Sequence, residues 1–303
     1  MTRLLRIAIA AAVLLIAWQL LGLYWPFSRL VFLYAIGRTS GCSWERALAA
    51  AEANPGEEAA KDRLQRGSRL IKEDSGLRLW KTDAGAWWIP AGMEEGLWNI
   101  LAEQEQRIYS DGGETRLRSG DIVLDCGANV GVFTRRALDA GARLVVAIEP
   151  VPSNLECLRR NFQAEISDRR VILYPKGVWD KDDILSMNVD DDSTRDSFVM
   201  LRKQTKSTVS FPVTTVDQLA SELQLTGVDF VKMDIEGSER KALSGARRVL
   251  ASYRPRLAIC VYHVGDDPAA VPRVVLESAP GYRSGCRCAV EGNRIRPEVM
   301  YFY

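Results

Sequence analysis

The chain has a single histidine, His263, among its 303 residues, and no surplus of either charge: 40 basic and 39 acidic side chains leave a formal net charge of +1. So even a balance gives no electrostatic footprint for a phosphate backbone, which sets nucleic acid aside as a partner. The six cysteines (Cys42, Cys126, Cys157, Cys260, Cys286 and Cys288) lack paired zinc-type spacing, and most are read as reduced, inert small apolar residues. Cys286-x-Cys288 has the form of a metal or redox pair, but no third ligand stands near it, so both are taken as strand residues. No internal repeat and no Gly-x-Gly-x-x-Gly are present, and the latter absence counts against a dinucleotide-dependent oxidoreductase.

What is present begins with 47% hydrophobic residues, enough for the core of one sizeable domain with smaller additions. From Leu4 to Leu23 only Arg6 and Gln19 interrupt an apolar run long enough to cross a membrane as a helix. No small-x-small cleavage site follows it, so an uncleaved anchor is expected rather than a signal peptide. Arg3 and Arg6 are balanced by Arg29, Arg38 and Arg46, so charge does not settle the orientation. The patch Leu30–Ile36 suits an interface. The expected division is a membrane anchor over 1–27, a helical neck and hairpin over 28–110, and the main domain over 111–303. Within the neck, Asn54-Pro55-Gly56 should break two helical stretches between Cys42 and Lys72. A hairpin about Thr82–Gly85 and a helix over Met93–Ile108 follow, and Trp87, Trp88 and Trp98 either pack this extension or line a pocket.

After Gly120 strands and helices alternate. Strands are predicted at Ile122–Asp125, Leu144–Glu149, Val171–Tyr174, Asp229–Asp234 and Leu257–His263, with helices at Val132–Asp139, Pro152–Ala164 and Ser238–Ala251. This pattern implies an α/β fold, a doubly wound, mostly parallel, Rossmann-like sheet whose ligands bind beyond the carboxyl ends of its strands. An insertion, Asp180–Phe211, carries an acidic, hydroxyl-rich run that is either a lid or a solvated loop.

The candidate functional residues fall at those strand ends. Asp125, Gly127, Asn129 and Gly131 form a strand-to-helix turn in which glycines let a ligand approach the backbone. Glu149 ends the next strand about twenty residues on, where a carboxylate accepts both ribose hydroxyls of a nucleoside. Alternatively, Glu149 caps the helix after it and Asp125 satisfies loop N–H groups.

The runs Leu-Asp-Cys-Gly-Ala-Asn-Val-Gly, Ala-Ile-Glu-Pro-Val-Pro-Ser-Asn, Thr-Thr-Val-Asp-Gln-Leu and Phe-Val-Lys-Met-Asp-Ile-Glu-Gly-Ser-Glu, in that order between about Gly120 and Pro272, resemble the FkbM family of S-adenosylmethionine-dependent methyltransferases. The resemblance implies a class I methyltransferase-like fold with S-adenosylmethionine as cofactor. It would place Asp125, Gly127, Asn129 and Gly131 around the methionine part, Glu149 at the ribose, and Gly177 and Val178, with Trp179, beside the adenine; Asn154 also matches the pattern but serves its helix equally well. Candidates at the reacting edge are Asp234, Glu236 and His263. Lys232 shares a strand face with Asp234 and is open to two roles, holding Asp234 ionised or pairing with Asp125. Glu236 and Glu239 open a helix whose dipole favours negative charge, and Asp266-Asp267-Pro268 reads as a cap. A divalent metal between Asp234 and Asp266 or Asp267 has little support, and no metal is assigned. Where amino-methyltransferases carry Asp/Asn-Pro-Pro-aromatic, this chain has Asp234-Ile235-Glu236-Gly237, which favours an oxygen acceptor. The expected acceptor is a small-molecule hydroxyl on a sugar, glycolipid or polyketide, tilted toward a lipid-linked one by residues 4–23, with the catalytic domain facing the cytoplasm. The rival expectation is a non-catalytic membrane scaffold that keeps the fold.

Overall fold

The computed structural model describes residues 12–13, 27–39, 41–110, 112–189 and 207–303. The expected membrane anchor therefore lies outside the described residues but for Ala12, Val13 and Phe27, as does the acidic run Asp190–Ser197 of the insertion. Among the described residues no helix is long and apolar enough to cross a membrane.

The chain divides into two compact units, Met1–Gly56 with Cys288–Pro297, and Glu57–Arg287 with Glu298–Tyr303. In the first, helix α1 (Phe27–Ala35) buries Leu30 and Leu33 and exposes Val31, Phe32 and Tyr34. Cys42 and Cys288 form a disulfide, which corrects the expectation for these two cysteines and removes Cys288 from any pair with Cys286. The other four cysteines are free, and Cys126, Cys157 and Cys260 are buried as small apolar residues.

Helix α2 (Trp44–Gly67) runs through Pro55 unbroken, against the expectation of two stretches. An interior proline costs about 3 kcal/mol in a helix. The alanine- and glutamate-rich sequence on both sides offsets that cost through high helix propensity, and Ala60 and Leu64 add burial. The boundary between the two units falls at this point, after Gly56.

In the second unit, strands β1 (Arg69–Asp74), β2 (Leu77–Thr82) and β3 (Gly85–Pro90) form an antiparallel sheet, followed by α3 (Glu94–Glu105). The hairpin was expected; β1, assigned to the end of the neck, was not. Thr82 closes its turn, donating from Oγ1 to Gly85 O at 3.0 Å and accepting the Ala84 N–H. Trp87 and Trp98 are buried in the main core and Trp88 packs against it, so the tryptophans serve packing.

The main sheet has seven strands in the order β12-β13-β11-β10-β4-β5-β6. These are β4 (Ile122–Cys126), β5 (Leu144–Ile148), β6 (Val171–Tyr174), β10 (Phe230–Met233), β11 (Arg256–Cys260), β12 (Ser284–Glu291) and β13 (Arg294–Phe302). Five consecutive strands, β11-β10-β4-β5-β6, are parallel and β13 joins β11 antiparallel, so the sheet is mixed. Helices α4 (Val132–Asp139), α5 (Pro152–Asn161), α6 (Gln163–Ser167), α7 (Val216–Glu222), α8 (Glu239–Ser244), α9 (Arg247–Tyr253) and α10 (Asp267–Ser278) connect them. The strands are apolar on both sides because both faces are covered. Val123, Val145, Phe230 and Ala258 enter one core, and Leu124, Val146, Val231 and Leu257 the other. A third small sheet, β7-β9-β8, combines β7 (Gly177–Val178) with a hairpin of β8 (Asp183–Val189) and β9 (Ser207–Thr214) built from the insertion.

From β4 the chain winds outward through β5 to β6, and then returns to β10 on the other side of β4. Such a reversal opens a crevice at the carboxyl ends of the two strands. Asp125 and Lys232 occupy paired positions there.

Candidate active site

The side-chain alternation of β4 and β10 sends Asp125 and Lys232 to the same face. Asp125 is fully buried; its Oδ2 accepts the Thr134 hydroxyl at 2.7 Å, and its Oδ1 lies 3.3 Å from Lys232 Nζ. Lys232 also donates to Gly127 O at 2.7 Å. Burial alone would lower the Lys232 pKa, but the charges of Asp125 and Asp234 outweigh it and hold the ammonium well above its ordinary range. Both readings of Lys232 therefore apply: it contacts Asp125 and acts through space on Asp234.

The turn after β4 is braced against its surroundings. Gly127 has φ +78°, and a Cβ there would stand 2.0 Å from the Asp234 carbonyl oxygen. A Cβ on Gly131, at φ +94°, would stand 2.2 Å from the Phe162 ring. Both glycines are thus required by close approach of protein to protein, a nearer cause than the ligand approach expected for them. Asn129 takes a left-handed conformation, φ 52°, and its N–H donates to Glu149 Oε2 at 2.9 Å. Glu149 Oε1 accepts the Val151 N–H at 2.9 Å, so this carboxylate ties the turn to the residue before α5, while α5 itself has no side-chain cap bond. Asn161, at the end of α5, bonds both the Trp88 backbone and Val130 O, fastening the hairpin to the same turn.

Glu149 is 5% exposed, and burial pushes its pKa up to about 7 although two backbone N–H groups and Asn154 oppose the rise. A carboxylate has about four acceptor positions, and these backbone bonds take only two. The neighbouring Asn154 Oδ1 is buried without a hydrogen-bond partner. Spare acceptors on a buried acid at this strand end fit the hydroxyls of a nucleoside, so the residues suit S-adenosylmethionine. Gly177 and Val178 lie buried in β7, and Trp179, 6% exposed, packs with Phe211 and Val213.

On the other side of the turn, Asp234 directly follows β10. The Tyr109 hydroxyl donates to its Oδ2 at 2.8 Å and the Tyr262 hydroxyl to its Oδ1 at 3.2 Å. Burial would raise Asp234, but Lys232, His263 and the Tyr109 hydrogen bond together hold it below the ordinary carboxylate range. His263 stands just beyond β11, in a bend instead of the predicted strand. Its Nε2 lies 3.5 Å from Asp234 Oδ1 and 3.4 Å from Glu236 Oε2, and its Nδ1 lies 3.1 Å from Glu239 Oε1. Burial opposes the imidazolium, yet Glu239, Asp234 and Glu236 overcome it and raise the pKa to about 9. At neutral pH the ring is therefore a cation among carboxylates, not a free base.

Asp234, Glu236 and His263 are thus brought together. Asp266 and Asp267 are not part of this group: both carboxylates pair with Arg240, and Asp267 Oδ2 also accepts the Val264 N–H. That pairing engages both carboxylates away from Asp234, and the Asp266 side chain makes no cap bond to α10. Sequence reasoning missed Tyr109, which reaches Asp234 from 125 residues away with no local pattern to mark it. It passed over Tyr262 within Val-Tyr-His, and set the helix dipole beside catalysis for Glu239, whose carboxylate turns toward His263.

The family model described as Methyltransferase FkbM domain matches residues 125–283, more than half of the chain. Over 187 residues the chain is 28% identical to the 31-O-demethyl-FK506 methyltransferase FkbM of Streptomyces tacrolimicus, covering 52% of this chain and 71% of that protein. Its fold is similar, at a TM-score of 0.50 and 21% identity, to the crystal structure of Methyltransferase FkbM from Methylobacillus flagellatus KT, covering 85% of this chain and 62% of that one. This chain therefore spans less than two thirds of that solved relative. It belongs to the FkbM family of methyltransferases, whose methyl donor is S-adenosylmethionine.

Proposed function

We propose that this methyltransferase acts on oxygen, placing a methyl group on a hydroxyl of a sugar, glycolipid or polyketide-type acceptor. The observation that carries the reading is Asp234: a carboxylate kept ionised at the end of β10, beside the β4 turn, and steadied by two phenols. A hydroxyl must lose its proton to become a good nucleophile, and an oriented, ionised carboxylate at the reacting edge receives it. The Asp234-Ile235-Glu236-Gly237 turn lacks the prolines that present carbonyls to an amino group, which also supports oxygen. The relative from Streptomyces tacrolimicus is named for 31-O-demethyl-FK506, a name that places its own methyl on oxygen.

In this reading Glu149 receives the ribose hydroxyls, Asp125, Gly127, Asn129 and Gly131 shape the wall for the methionine part, and Gly177 and Val178 stand behind the adenine. S-adenosylmethionine supplies an electrophilic methyl group. The protein supplies alignment, which accounts for much of the acceleration in an in-line displacement. Tyr109 and Tyr262 orient Asp234, and His263 balances the charge of Asp234, Glu236 and Glu239 while facing the acceptor. No observation favours the non-catalytic scaffold.

A lipid-linked acceptor is supported by the apolar run Leu4–Leu23 and by Val31, Phe32, Tyr34 and Ile36, which are exposed after it. We place the catalytic part at the cytoplasmic face, where the methyl donor is made. Radiolabelled methyl donor incubated with the protein and a membrane lipid and glycan extract tests the acceptor: label in an alkali-stable ether is expected, and label confined to protein or nucleic acid would sink the reading.

A further inference from the structure

Asp234, Glu239 and His263 each offer a ligand atom, and these atoms lie within 4.8 Å of one another where β10 and β11 end. Two features set this group apart from an ordinary acidic cluster. The His263 side chain is 9% exposed, and its ring nitrogens face carboxylates alone, Nδ1 at 3.1 Å from Glu239 Oε1 and Nε2 at 3.5 Å from Asp234 Oδ1, with no well-aligned hydrogen bond to either. Glu239 is fully buried; its Oε1 accepts the Ile235 N–H at 3.0 Å, while Oε2 has no hydrogen-bond partner. Buried polar atoms are normally satisfied, so the unpartnered Glu239 Oε2 within this cluster marks room for a ligand. Basic side chains nearby are engaged elsewhere. Arg240, on the same helix as Glu239, is held by Asp266 and Asp267, and Lys232 contacts Asp125 and Gly127 O.

We propose that Asp234, Glu239 and His263 form a divalent-cation site, open on the acceptor side, that takes Mn2+ or a similar ion. Two carboxylates and one imidazole are a hard-to-borderline donor set suited to such ions, and three protein ligands leave positions for water and an acceptor hydroxyl. Ion binding requires a neutral imidazole, so the ion takes the place of the His263 proton among the carboxylates. Asp234 has two oxygens; one ligates the ion and the other remains for the hydroxyl proton. The acceptor's place at the ion rests on the oxygen-methylation reading above, but the site itself is detected without turnover.

The test uses the full chain, treated with chelator and titrated with Mn2+ while the free-ion paramagnetic resonance signal is followed. One ion per wild-type chain is expected. Binding should weaken at least about tenfold in Glu239→Gln and in His263→Gln and be unchanged in Asp266→Asn. Circular dichroism and calorimetry with S-adenosylmethionine on the same samples establish that each variant is folded. If Glu239→Gln does not fold, Asp234→Asn carries the same expectation. Wild type that leaves the Mn2+ signal untouched, or folded variants that bind Mn2+ as wild type does, would overturn the site. Failure of Mn2+ binding with cofactor binding intact removes the metal site alone, whereas loss of both in wild type counts against the donor site.

Discussion

Replacing Lys232 with methionine should be among the most damaging single changes near the crevice. The substitution keeps most of the volume and removes the charge. Asp125, fully buried, would keep its Thr134 hydrogen bond but lose the cation 3.3 Å away, and Gly127 O would lose its donor at 2.7 Å. Stranding one partner of a buried ion pair costs about 3–5 kcal/mol. At about 2–4 °C per kcal/mol, the melting temperature should fall by roughly 6–20 °C. Asp234 would also lose the cation that most lowers its pKa, so the acidic limb of the rate profile should move to higher pH. The double variant Lys232→Met, Asp125→Asn removes both charges and should recover much of the loss, with a coupling energy of about 2 kcal/mol or more. Chemical denaturation of the four proteins reads the cycle. A Lys232→Met protein within about 0.5 kcal/mol of wild type, or a double variant that is simply additive, would show that the pair does not brace the turn.

Other outcomes follow from the same geometry. Burial holds the Glu149 pKa near 7, so the neutral acid is favoured in the folded protein; its stabilising contribution is present at low pH and lost as pH rises through 7. Ribose hydroxyls favour the ionised form, so cofactor affinity should fall about tenfold per unit as pH drops below 7, and Glu149→Gln should flatten the profile; calorimetry from pH 6 to 8 reads this. Tyr109→Phe removes a hydrogen bond to a charged group, worth about 1.5–3 kcal/mol, and should shift the acidic limb of the rate profile upward by about one unit or more while leaving cofactor affinity unchanged. The air-oxidised, denatured protein should titrate four thiols of its six cysteines, and Cys42→Ser five. Glutathione keeps cytosolic thiols reduced, so the Cys42–Cys288 bond weighs against the cytoplasmic placement, and thiol trapping in cells decides: a bonded pair overturns that placement, and six reduced thiols retain it.

The parallel centre of the fold was legible because strands covered on both faces read as short apolar runs ending in polar residues: Ile122–Leu124 before Asp125, Leu144–Ile148 before Glu149. Edge strands carry no such run. Arg69–Asp74 and Ser284–Glu291 are largely polar or half-exposed, so β1 and β12 went unread, as did β13, an interior strand whose polar and apolar residues alternate. Pro55 misled because a local breaker was set against helix propensity summed over 24 residues. At the site, Asp125, Glu149 and Asp234 could be found because their place at strand ends is fixed by chain order. Tyr109 and the Cys42–Cys288 bond could not, since each joins positions more than a hundred residues apart through tertiary structure alone. His263 was singled out as the one histidine, but its charge state depends on Glu239 and Glu236 turning toward it, which spacing does not reveal.

The most direct test of the donor site is calorimetric titration of S-adenosylmethionine into the intact chain and its Glu149→Ala variant. One cofactor per wild-type chain is predicted, with affinity at least about tenfold lower in a folded variant, as loss of a charged hydrogen-bond acceptor requires. No heat of binding in wild type, or equal affinity in the two proteins, would contradict the placement of the cofactor between the β4 turn and Glu149.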